Sequence, residues 1–210
     1  MSARAGAPAK KTPKGTLIII GGSEDKAGEM AILSDIARRV GKGKLVLITV
    51  ASEEPEHVWA TYDRVFRALG VKNIEHLGLS RRAEVMADPH LKILKGAKVI
   101  FFSGGDQLKL CSELGGTPVS DKIREMYWSG ATIAGTSAGA TAIGEIMVFG
   151  GPPLDGDKFQ LAQGLRLLPG TIIDQHFLAR SRQPRLIAAV NHNPALVGIG
   201  IDEGTALVVS

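Results

Sequence analysis

Gly135-Thr136-Ser137-Ala138-Gly139 carries the residues best suited to chemistry in this chain. It is a G-x-S-x-G pentapeptide. The apolar run Ala131-Thr132-Ile133-Ala134 precedes it, and the helix-prone Ala138-Gly139-Ala140-Thr141-Ala142-Ile143 follows. Strand, tight turn, helix is the setting of a nucleophile elbow, in which small neighbours let the backbone expose a serine Oγ at the end of a sheet. The amide of Ala138, at a helix N-terminus, then faces the place where an oxyanion would form. A serine hydroxyl is a poor nucleophile at neutral pH and needs a base. His176 is the best candidate, because it follows the apolar Thr171–Ile173; His57, His76, His90 and His192 have no comparable setting. The base in turn needs an acid to fix its tautomer. Spacing does not choose among Asp155, Asp157, Asp174, Asp202 and Glu203.

The elements that must position these groups are legible as an alternation. Strands are predicted at Thr16–Ile20, Leu45–Val50, Asn73–Leu79, Lys98–Phe102, Ala131–Ala134, Thr171–Ile173, Leu196–Ile201 and Thr205–Val208. Helices are predicted at Glu24–Val40, Glu56–Leu69, a stretch to Lys95 interrupted at Pro89, Asp106–Leu114, Asp121–Trp128 capped by Ser120, and Arg182–Asn191. Leu154–Leu168 has no clear period. Such alternation implies a mainly parallel sheet with helices on both faces. Ligands of an open parallel sheet sit beyond the carboxyl ends of its strands. Gly21-Gly22-Ser23-Glu24, Ser103-Gly104-Gly105-Asp106-Gln107, Gly135–Gly139 and Asp174-Gln175-His176 all fall there and should crowd one edge.

The bulk numbers bound the rest. With 210 residues, 44% hydrophobic, the chain is long enough for one sizeable core. Net charge is +4, but Arg4, Lys10, Lys11 and Lys14 sit in an acid-free opening segment. Residues 1–14 therefore read as a disordered basic arm, and 15–210 as a single catalytic α/β domain close to neutral, without a nucleic-acid footprint. No run is long enough to span a membrane. The single Cys111 points to packing and to a reducing cytoplasm. No metal-ligand spacing is seen, and Gly21-Gly22 lacks the full dinucleotide fingerprint, so no metal or cofactor is expected. Asp106 is expected to cap a helix, with Gly105 giving a second oxyanion amide; Glu24 and Asp25 are expected to open the first long helix and are assigned no chemistry.

The stretches G-T-L-I-I-I-G-G-S-E-D-K, F-F-S-G-G-D-Q-L, G-T-S-A-G-A, I-I-D-Q-H-F-L-A-R-S-R-Q-P-R-L and G-I-G-I-D-E-G-T together resemble the cyanophycinase family, whose wider serine peptidase family also contains aspartyl dipeptidases. The resemblance runs from about Lys14 to Val209. It implies a three-layer α/β/α sandwich, flavodoxin-like or class I glutamine amidotransferase-like, and a cytoplasmic exopeptidase without a cofactor. The substrate it implies is cyanophycin, a polyaspartate backbone with arginine on each side-chain carboxyl, cleaved to β-aspartyl-arginine. Ser137 then matches the nucleophile and His176 the base. Counting from Gly151 matches Asp155 to the acid, one methylene short of the family's glutamate. Gln107, Asp174 and Gln175 match substrate-pocket residues, and Arg180, Arg182 and Arg185 a substrate-binding arginine cluster, suited to carboxylates by planar two-point pairing. Family chains usually run past the strand at Thr205–Val208. The stop at Ser210 implies a shortened or truncated form with an open sheet edge, and a homodimer is expected. The rival readings are an aspartyl dipeptidase or other acidic-isopeptide peptidase, and a non-catalytic flavodoxin-like binding protein.

Overall fold

Apolar residues alternate along the central strands, and this period of two builds the layers. In β1 (Thr16–Ile20), Leu17 and Ile19 face one core while Ile18 and Ile20 face another; in β4 (Ala97–Phe102), Ile100 and Phe102 oppose Val99 and Phe101. A strand buried on both faces must be covered on both. The computed structural model, which describes residues 15–78, 88–150 and 159–210, shows how. The basic arm at 1–14 lies outside the described residues.

A six-stranded sheet runs β10-β1-β5-β4-β2-β3, with β2 Lys44–Ile48, β3 Asn73–Leu77, β5 Thr132–Thr136 and β10 Ala206–Val209. All its pairings are parallel except β1 with β10. One face is covered by α1 (Ala31–Val40) and α2 (Pro55–Ala68), through Leu33, Ile36, Tyr62 and Phe66. The other is covered by α3 (Asp88–Leu94), α4 (Gln107–Leu114), α5 (Pro118–Trp128) and α6 (Ala138–Ile143), through Leu94, Leu110, Ile123 and Ile143. The fold is thus the three-layer α/β/α arrangement. Among the described residues no helix is long and apolar enough to cross a membrane.

A second sheet was not legible in the sequence. It has four strands in the order β7-β6-β8-β9, with β6 Ile146–Phe149, β7 Gln160–Gln163, β8 Thr171–Asp174 and β9 Val197–Gly200. Here α7 (Gln183–His192) packs Leu186 and Ala189 on Val148 and Ile172. β6 and β7 are four-residue segments, too short for a period to declare itself.

Two helix starts also differ from expectation. The predicted helix at Glu24 begins only at Ala31. Asp25 instead accepts from the amides of Ala27, Gly28 and Met30 at 2.9, 2.8 and 2.9 Å, a local turn that competes with helix. Those N–H groups, Gly28 first, hold the Asp25 carboxyl down at about 2. Ser120 is not the cap of α5. Thr117 is, in a reciprocal capping box with Ser120 at the third helical position.

Phe101 is fully buried and packs against Tyr62 and Phe66 at ring-centroid distances of 5.0 and 5.7 Å. Phe101→Ala is expected to lower unfolding free energy by about 3–5 kcal/mol. A urea titration checks it; a loss under about 1 kcal/mol would mean that this aromatic cluster does not anchor the helical layer.

Candidate active site

Because β1, β5 and β4 are adjacent and parallel, their carboxyl ends place Gly21-Gly22, Ser137 and Ser103-Gly104-Gly105 along one rim. Between β5 and α6 the chain turns through Ser137 with φ 53° and ψ −114°. A non-glycine residue held there costs of order 1–3 kcal/mol and persists only where its surroundings enforce it. One enforcing contact is visible: the Ser137 amide donates to the Ile20 carbonyl at 3.0 Å. The amides of Ala138 and Gly105 have no backbone acceptor among the described residues. Asp106 caps α4 as expected, accepting from the amides of Leu108 and Lys109 at 2.7 and 3.2 Å.

His176 arrives from the second sheet, two residues beyond β8. Its amide donates to the Gly21 carbonyl at 2.8 Å, stitching the end of β8 to the end of β1. Gly22 (φ +107°) makes room: a Cβ there would lie 2.3 Å from His176 Cε1, so no other residue fits. The imidazole Nε2 lies 3.0 Å from Ser137 Oγ. Its Nδ1 lies 2.5 Å from Glu203 Oε1. The Nδ1–H tautomer satisfies both contacts, donating to Glu203 and accepting from the serine hydroxyl. Glu203 is held by its turn, where the Gly204 amide donates to Gly22 O at 2.9 Å and the Gly21 amide to Thr205 O at 3.0 Å.

The carboxylate at the second ring nitrogen is Glu203, one of the acids that spacing left open. Asp155, the residue counted from Gly151, lies outside the described residues, as does Asp157. A ring nitrogen has one in-plane site, and at Nδ1 that site is filled by Glu203. The sequence contained the signal: Glu203 follows β9 in a tight turn, and β9 runs parallel to β8, so both end at the same rim. Asp202 points elsewhere, accepting from the Ala179 amide at 3.2 Å. The amides of Glu203 and Ala179 hold its carboxyl below the usual range.

The expected binding residues separate into two groups. Gln175 Oε1 lies 3.3 Å from Ser137 Oγ, longer than the histidine contact and competing for the same single proton. Gln107 Nε2 donates to Val148 O at 2.9 Å and so ties α4 to the second sheet. Asp174 is buried and receives Arg185 in a two-point pair, with Nε at 2.7 Å and Nη2 closer still; Arg182 Nη1 stands 3.5 Å away and also donates to Gln175 O at 2.7 Å. Arg182 and Arg185 are themselves buried, so two of the three arginines read as a substrate cluster are committed inside the protein. The inward pairing has a physical cause. The Asp174 carboxylate, taken out of water by β8, needs cations beside it. Burial, then repulsion from Arg185, lowers the Arg182 guanidinium to about 10. Arg180 alone of the three is exposed.

Glu24, given no chemistry above, lies buried directly under the elbow. Its Oε2 accepts from Thr136 Oγ1 at 2.5 Å, its Oε1 accepts from the Tyr62 hydroxyl, and Lys26 Nζ stands 2.9 Å away. Burial acts to raise its carboxyl, but Lys26 and the two hydroxyl donors outweigh it and hold it below the usual 4.5.

Replacing Glu203 by Gln preserves shape but removes the charge that orients and supports the imidazolium. We expect kcat to fall about 10²–10⁴-fold with little change in fold; unchanged kcat would exclude Glu203 as the acid. For Glu24, a folded value below the unfolded one means its stabilisation is complete above about pH 4.5 and is lost as pH falls through the folded value. Urea midpoints measured from pH 7 downward should therefore fall more steeply for the native protein than for Glu24→Gln. Parallel curves would contradict a charged, paired Glu24.

The model of peptidase family S51 matches residues 17–210. Over 207 residues the chain is 39% identical to a cyanophycinase of Trichormus variabilis, covering 94% of this chain and 70% of that one. Over 198 residues it is 39% identical to a cyanophycinase of Synechococcus elongatus, covering 91% and 62%. The crystal structure of a peptidase from an acI-B1 Actinobacterium superposes with a TM-score of 0.74 at 25% identity, covering 95% of this chain and 84% of that one. The chain belongs to peptidase family S51 and is a serine-type hydrolase of that family.

Proposed function

We propose that this chain is a cyanophycinase, a serine exopeptidase that hydrolyses cyanophycin to β-aspartyl-arginine dipeptides through an acyl-enzyme on Ser137. The observation that carries this reading is the contact of Ser137 Oγ with His176 Nε2 at 3.0 Å, with Nδ1 on the Glu203 carboxylate at 2.5 Å. The substrate follows from the cyanophycinases to which the chain is 39% identical.

In the proposed mechanism Ser137 Oγ attacks the backbone carbonyl carbon of an aspartyl unit while His176 Nε2 takes its proton. Glu203, in place of Asp155, accepts from Nδ1–H and stabilises the imidazolium. The amides of Ala138 and Gly105 receive the oxyanion. His176 then gives its proton to the leaving amine, and water, deprotonated by the same ring, attacks the acyl carbonyl and releases Ser137. Gln175 touches Ser137 Oγ, and Gln107 and the exposed Arg180 are proposed to meet the substrate, whereas Asp174 with Arg182 and Arg185 supports the backbone just before His176. No cofactor, nucleic acid or membrane enters this reading. We place the enzyme in the cytoplasm, where the free, buried Cys111 would stay reduced. Its form there is proposed to be a homodimer.

Purified protein incubated with cyanophycin should release β-aspartyl-arginine, and Ser137→Ala should reduce the rate about 10⁴-fold. Release of aspartate from aspartyl dipeptides, with cyanophycin untouched, would move the chain to the dipeptidase branch. Failure of wild type to acylate with a serine-reactive probe would end the catalytic reading.

A further inference from the structure

A cleft of about 290 Å³ opens beside the elbow, lined by Lys26, His57, Val58, Thr61, Tyr62 and Gly104. It is one residue from the proposed nucleophile, since a Cβ built on Gly104 would stand 3.3 Å from Ser137 Cβ. A substrate whose carbonyl rests at Ser137 therefore passes its next group along this wall. The wall carries an ammonium, a hydroxyl and an imidazole. Val58 and Tyr62 supply its apolar part.

Lys26 is not a loose surface lysine. Its Nζ is fixed by the buried Glu24, 2.9 Å from Oε1 and 3.3 Å from the Glu24 carbonyl, and sits 5.2 Å from the Tyr62 ring centroid. Both hydrogen-bond partners belong to one residue, and the side chain stays 33% exposed. Glu24 balances the charge of Lys26, but its carboxylate is buried and also occupied by the Tyr62 and Thr136 hydroxyls, so Lys26 is the member of the pair that meets the cleft. What reaches the cleft is a positioned cation with a donor to spare. Such a wall repels a guanidinium and accepts a carboxylate through charge-assisted hydrogen bonds.

We propose that Lys26, with Thr61 and His57, forms a carboxylate-binding subsite. Resting on the cyanophycinase reading, its ligand is the free carboxylate of the arginine branch that each repeating unit carries. The subsite aligns the branch by its acid end and leaves the guanidinium directed away from Lys26. Glu24 serves both ends of this device, holding Lys26 at the cleft and Thr136 at the elbow.

The test is equilibrium binding to the full chain carrying Ser137→Ala, using β-aspartyl-arginine and the same dipeptide with the arginine carboxylate converted to carboxamide. The acid is expected to bind about 10-fold or more tightly than the amide. Adding Lys26→Met should weaken the acid by that factor, leave the amide unchanged and so abolish the preference. Lys26→Arg should retain it. Thr61→Val, which leaves the Glu24 cluster intact, should shrink the preference several-fold and guards against a misfolded Lys26 variant. A preference equal to the parent's in both Lys26→Met and Thr61→Val overturns the subsite, as does failure of the acid dipeptide to bind. Turnover of cyanophycin by wild type is scored separately. Turnover together with a preference indifferent to Lys26 removes only the subsite, whereas a Lys26-dependent preference without turnover removes only the cyanophycin reading.

Discussion

Four backbone hydrogen bonds around residues 20–22 hold the site together. The Ser137 amide reaches Ile20 O, the His176 amide reaches Gly21 O, the Gly204 amide reaches Gly22 O, and the Gly21 amide reaches Thr205 O. Through them a serine on the six-stranded sheet, a histidine beyond the four-stranded sheet and a glutamate in the last turn share one short loop. Side chains alone could not fix such a geometry, because each long side chain retains rotamer freedom. Backbone bonds to a common loop leave only the last torsions to be set, and the imidazole, flanked by Ser137 and Glu203, sets them. Gly22 is the steric condition for this, since any Cβ would occupy the ring's position.

Under that loop the protein buries charge. Asp174 with Arg182 and Arg185 lies on one side, and Glu24 with Lys26, Tyr62 and Thr136 on the other. Buried ion pairs add little net stability, because desolvation consumes most of the Coulomb gain. Their effect is orientation. The Arg182–Gln175 bond sets the backbone just before His176, and the Glu24–Thr136 bond sets the residue just before Ser137. A polar group satisfied on one side in a low-dielectric interior is costly to misalign. The proposed nucleophile and base are thus each preceded by an anchored residue, which keeps the reacting groups in register without contact to substrate.

Much of the layering was legible in local pattern. The alternation of Leu17, Ile18, Ile19 and Ile20, and of Val99 through Phe102, reports burial on both faces directly. The G-T-S-A-G turn between a strand and a helix located the elbow, and Asp106 announced its helix. What local pattern left out was of one kind. Glu24 resembled a helix-opening acid because its partners, Tyr62 and Thr136, are 38 and 112 residues away. Arg182 and Arg185 read with Arg180 as a substrate-binding cluster because the internal carboxylate they pair with is brought to them only by β8 and the loop after it. Strands β6 and β7 are stabilised by pairing with each other and with β8, and four residues carry too little pattern to announce that.

The amino-acid order by itself determined the α/β alternation, the elbow serine and the histidine at a strand end, because period, turn chemistry and small-residue requirements act within a few neighbours. Only the tertiary structure decided which acid stands at the histidine's second nitrogen, which arginines face inward and that the strands divide between two sheets. Those outcomes depend on the parallel registers of β8 and β9 and of β1 and β5. Register joins groups that no local spacing relates, so their partners are settled only when the sheets are built.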